Sequence, residues 1–219
     1  MGLDDAGFNR LEGLVQLLGE WNRKVNLVSR ADIPNVRSAH VLHSLSPLMH
    51  FPLRTPSEVM DVGTGGGFPG LPLAIARPGI RFLLVDGTGK KVRAVEDMAC
   101  RLGLGNVRVL HARVEDLARD PACTDRFDLV LARAVAPLGD LIRWSVPLVR
   151  RTHPAAGTRG SAPGADPELP SLMAYKGGDI QQELMSAQTK YPAYSFRIID
   201  LHFPPAADLH GKKLAVVRL

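Results

Sequence analysis

The stretch Asp61-Val62-Gly63-Thr64-Gly65-Gly66-Gly67-Phe68-Pro69-Gly70 constrains this chain more than any other part of it. Ahead of it, Glu58-Val59-Met60 carries β-type apolar residues; behind it, Gly70-Leu71-Pro72-Leu73-Ala74-Ile75-Ala76 reads as a short apolar helix. The glycines therefore fall at a strand-to-helix turn. There, residues without a Cβ let a ligand touch backbone, and the N–H groups opening the helix face outward. A nucleoside cofactor site is the expectation.

Two kinds of cofactor use such a turn. Gly65, Gly67 and Gly70 can be laid on the dinucleotide fingerprint G-x-G-x-x-G, but that register points the Asp61 carboxylate at a pyrophosphate. The ammonium of an amino acid, as in S-adenosylmethionine, is instead attracted by an acid at the strand end, and the helix-opening N–H groups can take its carboxylate. Asp61 therefore favours the methyl donor.

The run Ile80-Arg81-Phe82-Leu83-Leu84-Val85 is typical of a strand buried on both faces, and it ends in Asp86. An acid about 20 residues past the glycine turn is placed to accept both ribose hydroxyls. A helix cap is the alternative role for Asp86. Lys90 to Leu102 reads as an amphipathic helix with Val92, Val95, Met98, Ala99 and Leu102 on one face, closed by Gly103, and Cys100 is placed on its inner side. Strand signals recur at Val107-Arg108-Val109-Leu110 and at Phe127-Asp128-Leu129-Val130-Leu131. This βαβα alternation predicts a parallel sheet with right-handed crossovers and a crevice at the strand carboxyl ends.

Residues just past those strands should line the crevice. Val114 can cover an adenine ring and Glu115 can meet its exocyclic amine, unless Glu115 merely starts a helix. Arg133 follows the fourth strand and is open to the cofactor, a base edge or a phosphate, or to solvent.

Together these residues spell a family. The chain resembles the bacterial small-subunit ribosomal RNA methyltransferase G family, formerly glucose-inhibited division protein B. Trp21-Asn22-Arg23-Lys24-Val25-Asn26-Leu27-Val28-Ser29 is similar to its W-N-x-x-x-N-L-T-S, and Asp61 to Pro72 matches D-V-G-[TS]-G-x-G-[FL]-P-G-[IL]-P. The extension Phe68-Pro69-Gly70-Leu71-Pro72 is more specific than the glycines. Asp86 with Lys90-Lys91-Val92, the pair Val114-Glu115, Arg133-Ala134 and Tyr175-Lys176-Gly177 also fall where the family keeps similar residues. The resemblance implies methylation of N7 of a guanine in small-subunit ribosomal RNA, free or in a precursor particle. It also implies cofactor contacts at Gly63, Phe68, Val114, Glu115 and Arg133, beside Asp61, Gly65 and Asp86 from the residues themselves. Arg133, Lys176 and His40 are the candidate RNA contacts. Departures occur at Ala39 and His43, where the family's R-H-x-x-D-S-[IL] has an Arg and an acid, and at Val28, which replaces Thr.

The fold class expected is α/β: a Rossmann-like, seven-stranded class I methyltransferase sheet with an N-terminal helical extension. One domain should span 1–219, with N-terminal helices in 1–50 and the cofactor-binding core in 56–219. Leu11, Leu14, Val15, Leu17 and Leu18 form one helical stripe before Trp21, and Val41, Leu42, Leu45 and Leu48 form another. Leu172 to Tyr175 reads as a strand, Ile180 to Lys190 as a helix, and Ser195 to Leu201 and Leu214 to Leu219 as a final pair of strands, the last antiparallel. Residues 153–170, dense in Ala, Gly, Pro and Ser, read as a flexible loop.

Composition excludes rather than identifies. With 219 residues, 45% hydrophobic, the chain can bury a sizeable core. Its net charge of +5 suits a polyanionic partner, and Arg150-Arg151 and Lys212-Lys213 are the candidate phosphate clusters. Two cysteines without C-x-x-C spacing support neither a disulfide framework nor zinc, and His40 with His43 lacks a third ligand, so no metal is expected. No apolar run spans a membrane and no basic signal-peptide start is seen, which places the chain in the cytoplasm, as a monomer. No residue is assigned as a catalytic base, because guanine N7 carries no proton. The competing functions are a regulatory protein that binds S-adenosylmethionine without turnover, and a methyltransferase for another RNA position or a small molecule.

Overall fold

The computed structural model describes residues 3–51, 53, 58–150, 172–201 and 211–219. Seven strands form one sheet: β1 (Glu58–Val62), β2 (Arg81–Asp86), β3 (Val107–His111), β4 (Leu129–Arg133), β5 (Leu172–Gly177), β6 (Ser195–Asp200) and β7 (Lys212–Arg218). Their order is β3-β2-β1-β4-β5-β7-β6. The pairs among β1 to β5 are parallel, and β7 runs antiparallel to both its neighbours. The order turns back between β1 and β4, and a ligand crevice belongs at the carboxyl ends of strands at such a point.

Strand alternation decides what each face carries. Val59 on β1, Phe82 and Leu84 on β2, Leu131 on β4, and Met173 and Tyr175 on β5 pack into one apolar layer. That layer is covered by α1 (Asp5–Asn22), the helical segment 37–49, α3 (Gly70–Ala76) and α4 (Gly89–Arg101). Two residues on from Val59, Leu84 and Leu131, the same face continues into Asp61, Asp86 and Arg133. Their intervening neighbours Met60, Val62, Val130 and Ala132 face the opposite layer, which holds α5 (Val114–Leu117), α6 (Leu138–Ser145) and α7 (Gln181–Lys190). Three polar side chains expected in one crevice thus share a sheet face by parity alone.

The sequence-predicted elements appear within a residue or two of their expected ends, and Gly103 closes α4 in the left-handed conformation, at φ +64°. Cys100 is exposed, contrary to its expected place on the inner side of that helix. It lies about 100° around the axis from buried Ala99, far enough to leave the apolar stripe. Helix α6 buries Leu138, Leu141, Ile142 and Ser145 at helical spacing but was not anticipated. The flexible-loop reading of 153–170, and Arg151, lie outside the described residues. Among the described residues no helix is long and apolar enough to cross a membrane.

The N-terminal segment is bolted to the sheet layer at defined points. Asp4 caps α1 by accepting from Gly7 N–H at 2.8 Å, and Leu14 and Leu18 are fully buried. At its far end Trp21 Nε1 donates to Asp97 on α4 at 2.7 Å. Asn22 Oδ1 then accepts from the backbone N–H groups of Leu27 at 2.8 Å and Val28 at 3.0 Å. This folds the chain back so that Leu27 lies against the glycine turn, where a Cβ on Gly66 would sit 3.2 Å from Leu27 Cβ. The second stripe becomes a wide helical turn at Arg37–Leu42, one α-helical turn at His43–Leu45 (α2) and a tight one at Ser46–Met49.

Asn22→Ala should therefore destabilise the protein by about 1–3 kcal/mol, because two partly buried N–H groups lose their acceptor. Asn22→Asp, which keeps an acceptor, should lose clearly less. Urea denaturation measures both, and equal losses would show that the clasp does not depend on that oxygen.

Candidate cofactor crevice

Asp61, at the end of β1, holds the glycine turn from inside. Its Oδ2 accepts from the Thr64 hydroxyl at 2.6 Å and from Gly70 N–H, the first residue of α3, at 3.0 Å. Thr64 N–H donates to Val85 O on β2 at 2.9 Å, and Thr64 O accepts from Gly67 and Phe68 N–H, both at 2.9 Å. Leu71 N–H donates to Gly67 O at 2.7 Å. The N–H groups of Gly70 and Leu71 are thus consumed within the turn. The expectation that the helix opening would take a ligand carboxylate does not hold.

Two glycines show why the turn needs them. Gly63 has φ +64°, and a Cβ there would lie 2.7 Å from Val135 Cγ2. Gly65 has φ +60°, and the nearest atom to a Cβ there is 3.9 Å away, so its backbone faces open space. Gly65 is where a ligand can approach the chain most closely.

Asp86 is nearly buried and receives Gly65 N–H on Oδ2 at 3.0 Å and Thr88 N–H on Oδ1 at 2.8 Å. It ties the glycine turn to the turn after β2, while Thr88 takes the N-cap position of α4. Each of its oxygens retains a lone pair for a further donor. Val114 is buried in the layer that also holds Val62 and Val85, and Glu115 is half-buried in the first turn of α5.

Arg133, at the end of β4, stacks over the Phe68 ring with its guanidinium carbon 5.1 Å from the centroid. Its Nη2 donates to His40 Nδ1 at 2.9 Å, and His40 Nε2 lies 3.3 Å from Asp32 Oδ2. The His40 ring also packs on Phe68, centroids 5.2 Å apart. Phe68, expected as a cofactor contact, is buried and forms the floor under two polar side chains. His43 packs edge-on to Tyr175 at 5.3 Å, and Tyr175 donates its hydroxyl proton to Ser44 O at 2.8 Å.

Among the described residues, only three side-chain polar atoms are buried without a partner: Asp61 Oδ1, Arg133 Nη1 and His43 Nε2. All three belong to this crevice. Burial pushes the Asp61 carboxyl up to about 7, against the pull of its bonds to Thr64 and Gly70 and of the Arg133 charge. Burial and then Arg133 push His43 down to about 3, leaving it neutral where an acid was the family expectation. Burial lowers Arg133 from its ordinary value, with Tyr175, Asp61 and Asp32 opposing. A guanidinium remains charged even so.

Two of the candidate RNA contacts, Lys176 and His40, and two residues of the candidate phosphate clusters, Arg150 and Lys213, are engaged internally. Lys176 Nζ donates to Ala136 O at 2.9 Å and to Glu183 at 2.6 Å, tying β5 to α7. Both ring nitrogens of His40 are occupied, as above. Arg150 pairs with Asp128, and Lys213 with Asp200 at 2.5 Å. The sequence reading missed a cleft of about 610 Å³ lined by Asn22, Arg23, Lys24, Val25, Asn26, Ser29 and Arg30. Among the described residues none could form a metal cluster.

A sheet of this order, with acids ending β1 and β2 beside an open glycine turn, defines an S-adenosylmethionine-dependent methyltransferase of the Rossmann-like class. An O-methyltransferase of that dependence from Thermotoga maritima superposes with a TM-score of 0.58 at 11% identity, over 86% of this chain and 70% of that one. Aeropyrum pernix fibrillarin, solved with natively bound S-adenosyl-L-methionine, gives 0.53 at 10% identity, over 82% and 74%. These likenesses concern the fold. The chain belongs to the rRNA small subunit methyltransferase G family, whose model matches residues 8–166. It is 47% identical over 187 residues to the ribosomal RNA small subunit methyltransferase G of Chlorobium luteolum, covering 85% of this chain and 69% of that protein. It is 40% identical over 195 residues to that of Phocaeicola vulgatus, covering 89% and 85%.

The buried Asp61 carboxyl makes the folded protein hold a proton that the unfolded chain releases near pH 4. The contribution of Asp61 to stability should therefore fall as pH rises from about 4 to about 7, the unfolded and folded values, while His43, held down to about 3, acts in the opposite direction over much of that range. Asp61→Asn, which cannot ionise yet keeps an oxygen for Thr64 and Gly70, should gain thermal stability relative to wild type as pH rises through that window. A melting-temperature difference constant from pH 4 to pH 8 would contradict it.

Proposed function

We propose that this chain transfers a methyl group from S-adenosylmethionine to N7 of a guanine in small-subunit ribosomal RNA, acting as a cytoplasmic monomer. One observation carries the cofactor site: a buried acceptor, Asp61 Oδ1, and a buried cationic donor, Arg133 Nη1, stand unpartnered on one sheet face beside the open backbone of Gly65. An amino-acid zwitterion supplies the two groups they lack, an ammonium for Asp61 and a carboxylate for Arg133. Asp86 accepts the ribose hydroxyls through its remaining lone pairs. Val114 flanks the adenine and Glu115 meets its amine.

The RNA reading rests on the named function of the relatives and on charge. Arg23, Lys24 and Arg30 line the cleft that follows α1, and none of them forms an ion pair among the described residues. Such a surface suits a phosphate backbone.

S-adenosylmethionine supplies a methyl group already activated on a sulfonium. Guanine N7 presents an in-plane lone pair and no proton, so the protein needs no general base. Its residues have to align. Asp61, Asp86 and Arg133 fix the donor's two ends, and alignment of this kind can supply up to about 7–11 kcal/mol in ideal intramolecular cases. The base must leave its stack, which is easiest from a loop or an unfinished particle.

Asp86→Ala should weaken S-adenosylmethionine binding by about 1.5–3 kcal/mol in calorimetry; unchanged binding would reduce Asp86 to a turn-holding role. The reaction itself is read on RNA, since N7 methylation makes that nucleotide cleavable by reduction followed by aniline. A primer-extension stop should vanish in a strain lacking the protein and return on complementation. Its persistence in the deleted strain, or a single-turnover rate that still follows a side-chain titration near pH 6 to 8 once S-adenosylmethionine saturates the protein and Asp61 is held ionised by the ammonium, would refute the assignment.

A further inference from the structure

We infer that Asp32 and His40 are positioning residues that fix Arg133 through a directional hydrogen-bond chain, so that its free Nη1 meets the carboxylate end of the methyl donor. The inference rests on the cofactor reading above and reassigns His40 away from RNA. The geometry dictates proton positions. Arginine has no acceptor, so His40 Nδ1, 2.9 Å from Arg133 Nη2, must be the unprotonated nitrogen. Nε2 then carries the proton and donates to Asp32 Oδ2 at 3.3 Å. Only the neutral Nε2–H tautomer satisfies both contacts, because an imidazolium would turn an N–H toward a guanidinium.

The surroundings hold that tautomer. Arg133 on β4, Lys212 on β7 and neutral His43 one turn away face the ring, with Asp32 the single carboxylate among the groups acting on it. Burial first, then Arg133, keeps His40 below its ordinary value, so the ring is neutral at physiological pH. Asp32 sits in the turn Arg30–Asn35, which Ser29 caps by accepting from Ala31 N–H at 3.2 Å. With Nη2 committed to His40 and its carbon 5.1 Å from the Phe68 ring centroid, the guanidinium is held at two points, and Nη1 is the buried nitrogen without a partner.

The test compares two nucleosides by calorimetry at pH 7.5: S-adenosylmethionine, and 5′-methylthioadenosine, which lacks the amino-acid end. Arg133→Met should weaken the first by about 10- to 100-fold and leave the second unchanged. His40→Ala should weaken the first by about tenfold, again sparing the second, and should add little in the Arg133→Met background. Asp32→Ala should give a smaller loss in the same direction. His40→Gln, with one acceptor and one donor on its amide, should restore most of the affinity. Nitrogen-15 shifts of the His40 ring give a readout that needs no ligand and should report the Nε2–H tautomer. The inference is overturned if His40→Ala weakens both nucleosides equally, if its loss persists in full beside Arg133→Met, or if the ring proves to be the Nδ1–H tautomer or an imidazolium. A wild-type protein that binds neither nucleoside would instead refute the methyl-donor reading, leaving the ring's tautomer to decide this one.

Discussion

One buried carboxylate organises the site. Asp61 has no exposed surface, and the cost of taking a carboxylate out of water shows in its pKa being pushed up to about 7. It is tolerated because each of its bonds joins segments the chain must bring together: Thr64 in the glycine turn and Gly70 at the start of α3. Once Thr64 is held there, its backbone reaches across to Val85 on β2, and the turn can run only along the path that leaves Gly65 open. Asp86 secures the same turn from the neighbouring strand through Gly65 N–H. Two acids, one per strand, thus shape a loop whose glycines alone would have no preferred path.

The N-terminal helices are part of this arrangement. Leu27 backs Gly66 because Asn22 turns the chain, and Trp21 anchors that corner to α4. Further along, His40 reaches Arg133 and shares the Phe68 ring with it. Residues from both ends of the described fold therefore converge on one point: Asp32 and His40 before the sheet, Phe68 in the turn, Arg133 after β4, with Lys212 from the last strand adding its charge.

What was legible in the sequence is what short-range physics controls. The seven strands follow from apolar runs of period-two or fully buried type, and the crevice acids from their places at strand ends. The glycine turn could be located because its run of glycines falls between a strand pattern and a helix pattern, and the positive φ of Gly63, Gly65 and Gly67 shows why they are there. What escaped was set by contacts distant in sequence. The two ring bonds of His40, one of them to a residue far along the chain, leave no periodic trace, and neither does the commitment of Lys176 to Glu183. Both residues looked free in the sequence because a side chain's partner is decided by packing. Asn22 belongs to the W-N motif, but its reason, two backbone amides lying past the end of its helix, is visible only in the fold. Cys100 lies outside the core because the buried stripe of α4 is narrower than its run of apolar letters suggests.

The three unpartnered atoms of Asp61, His43 and Arg133 have a consequence for how this protein would evolve under pressure for robustness alone. A lineage selected only for heat tolerance would find its easiest gains at these positions, by replacing an unpaired acid, imidazole or guanidinium with a group that fits its apolar surroundings. Such descendants would keep the sheet, the helices and the glycine turn, and would look intact by fold and by most of their sequence. They would have lost the polar grip of the crevice, so the persistence of Asp61 and Arg133 in a sequence is a better sign of a working enzyme than the persistence of its glycines.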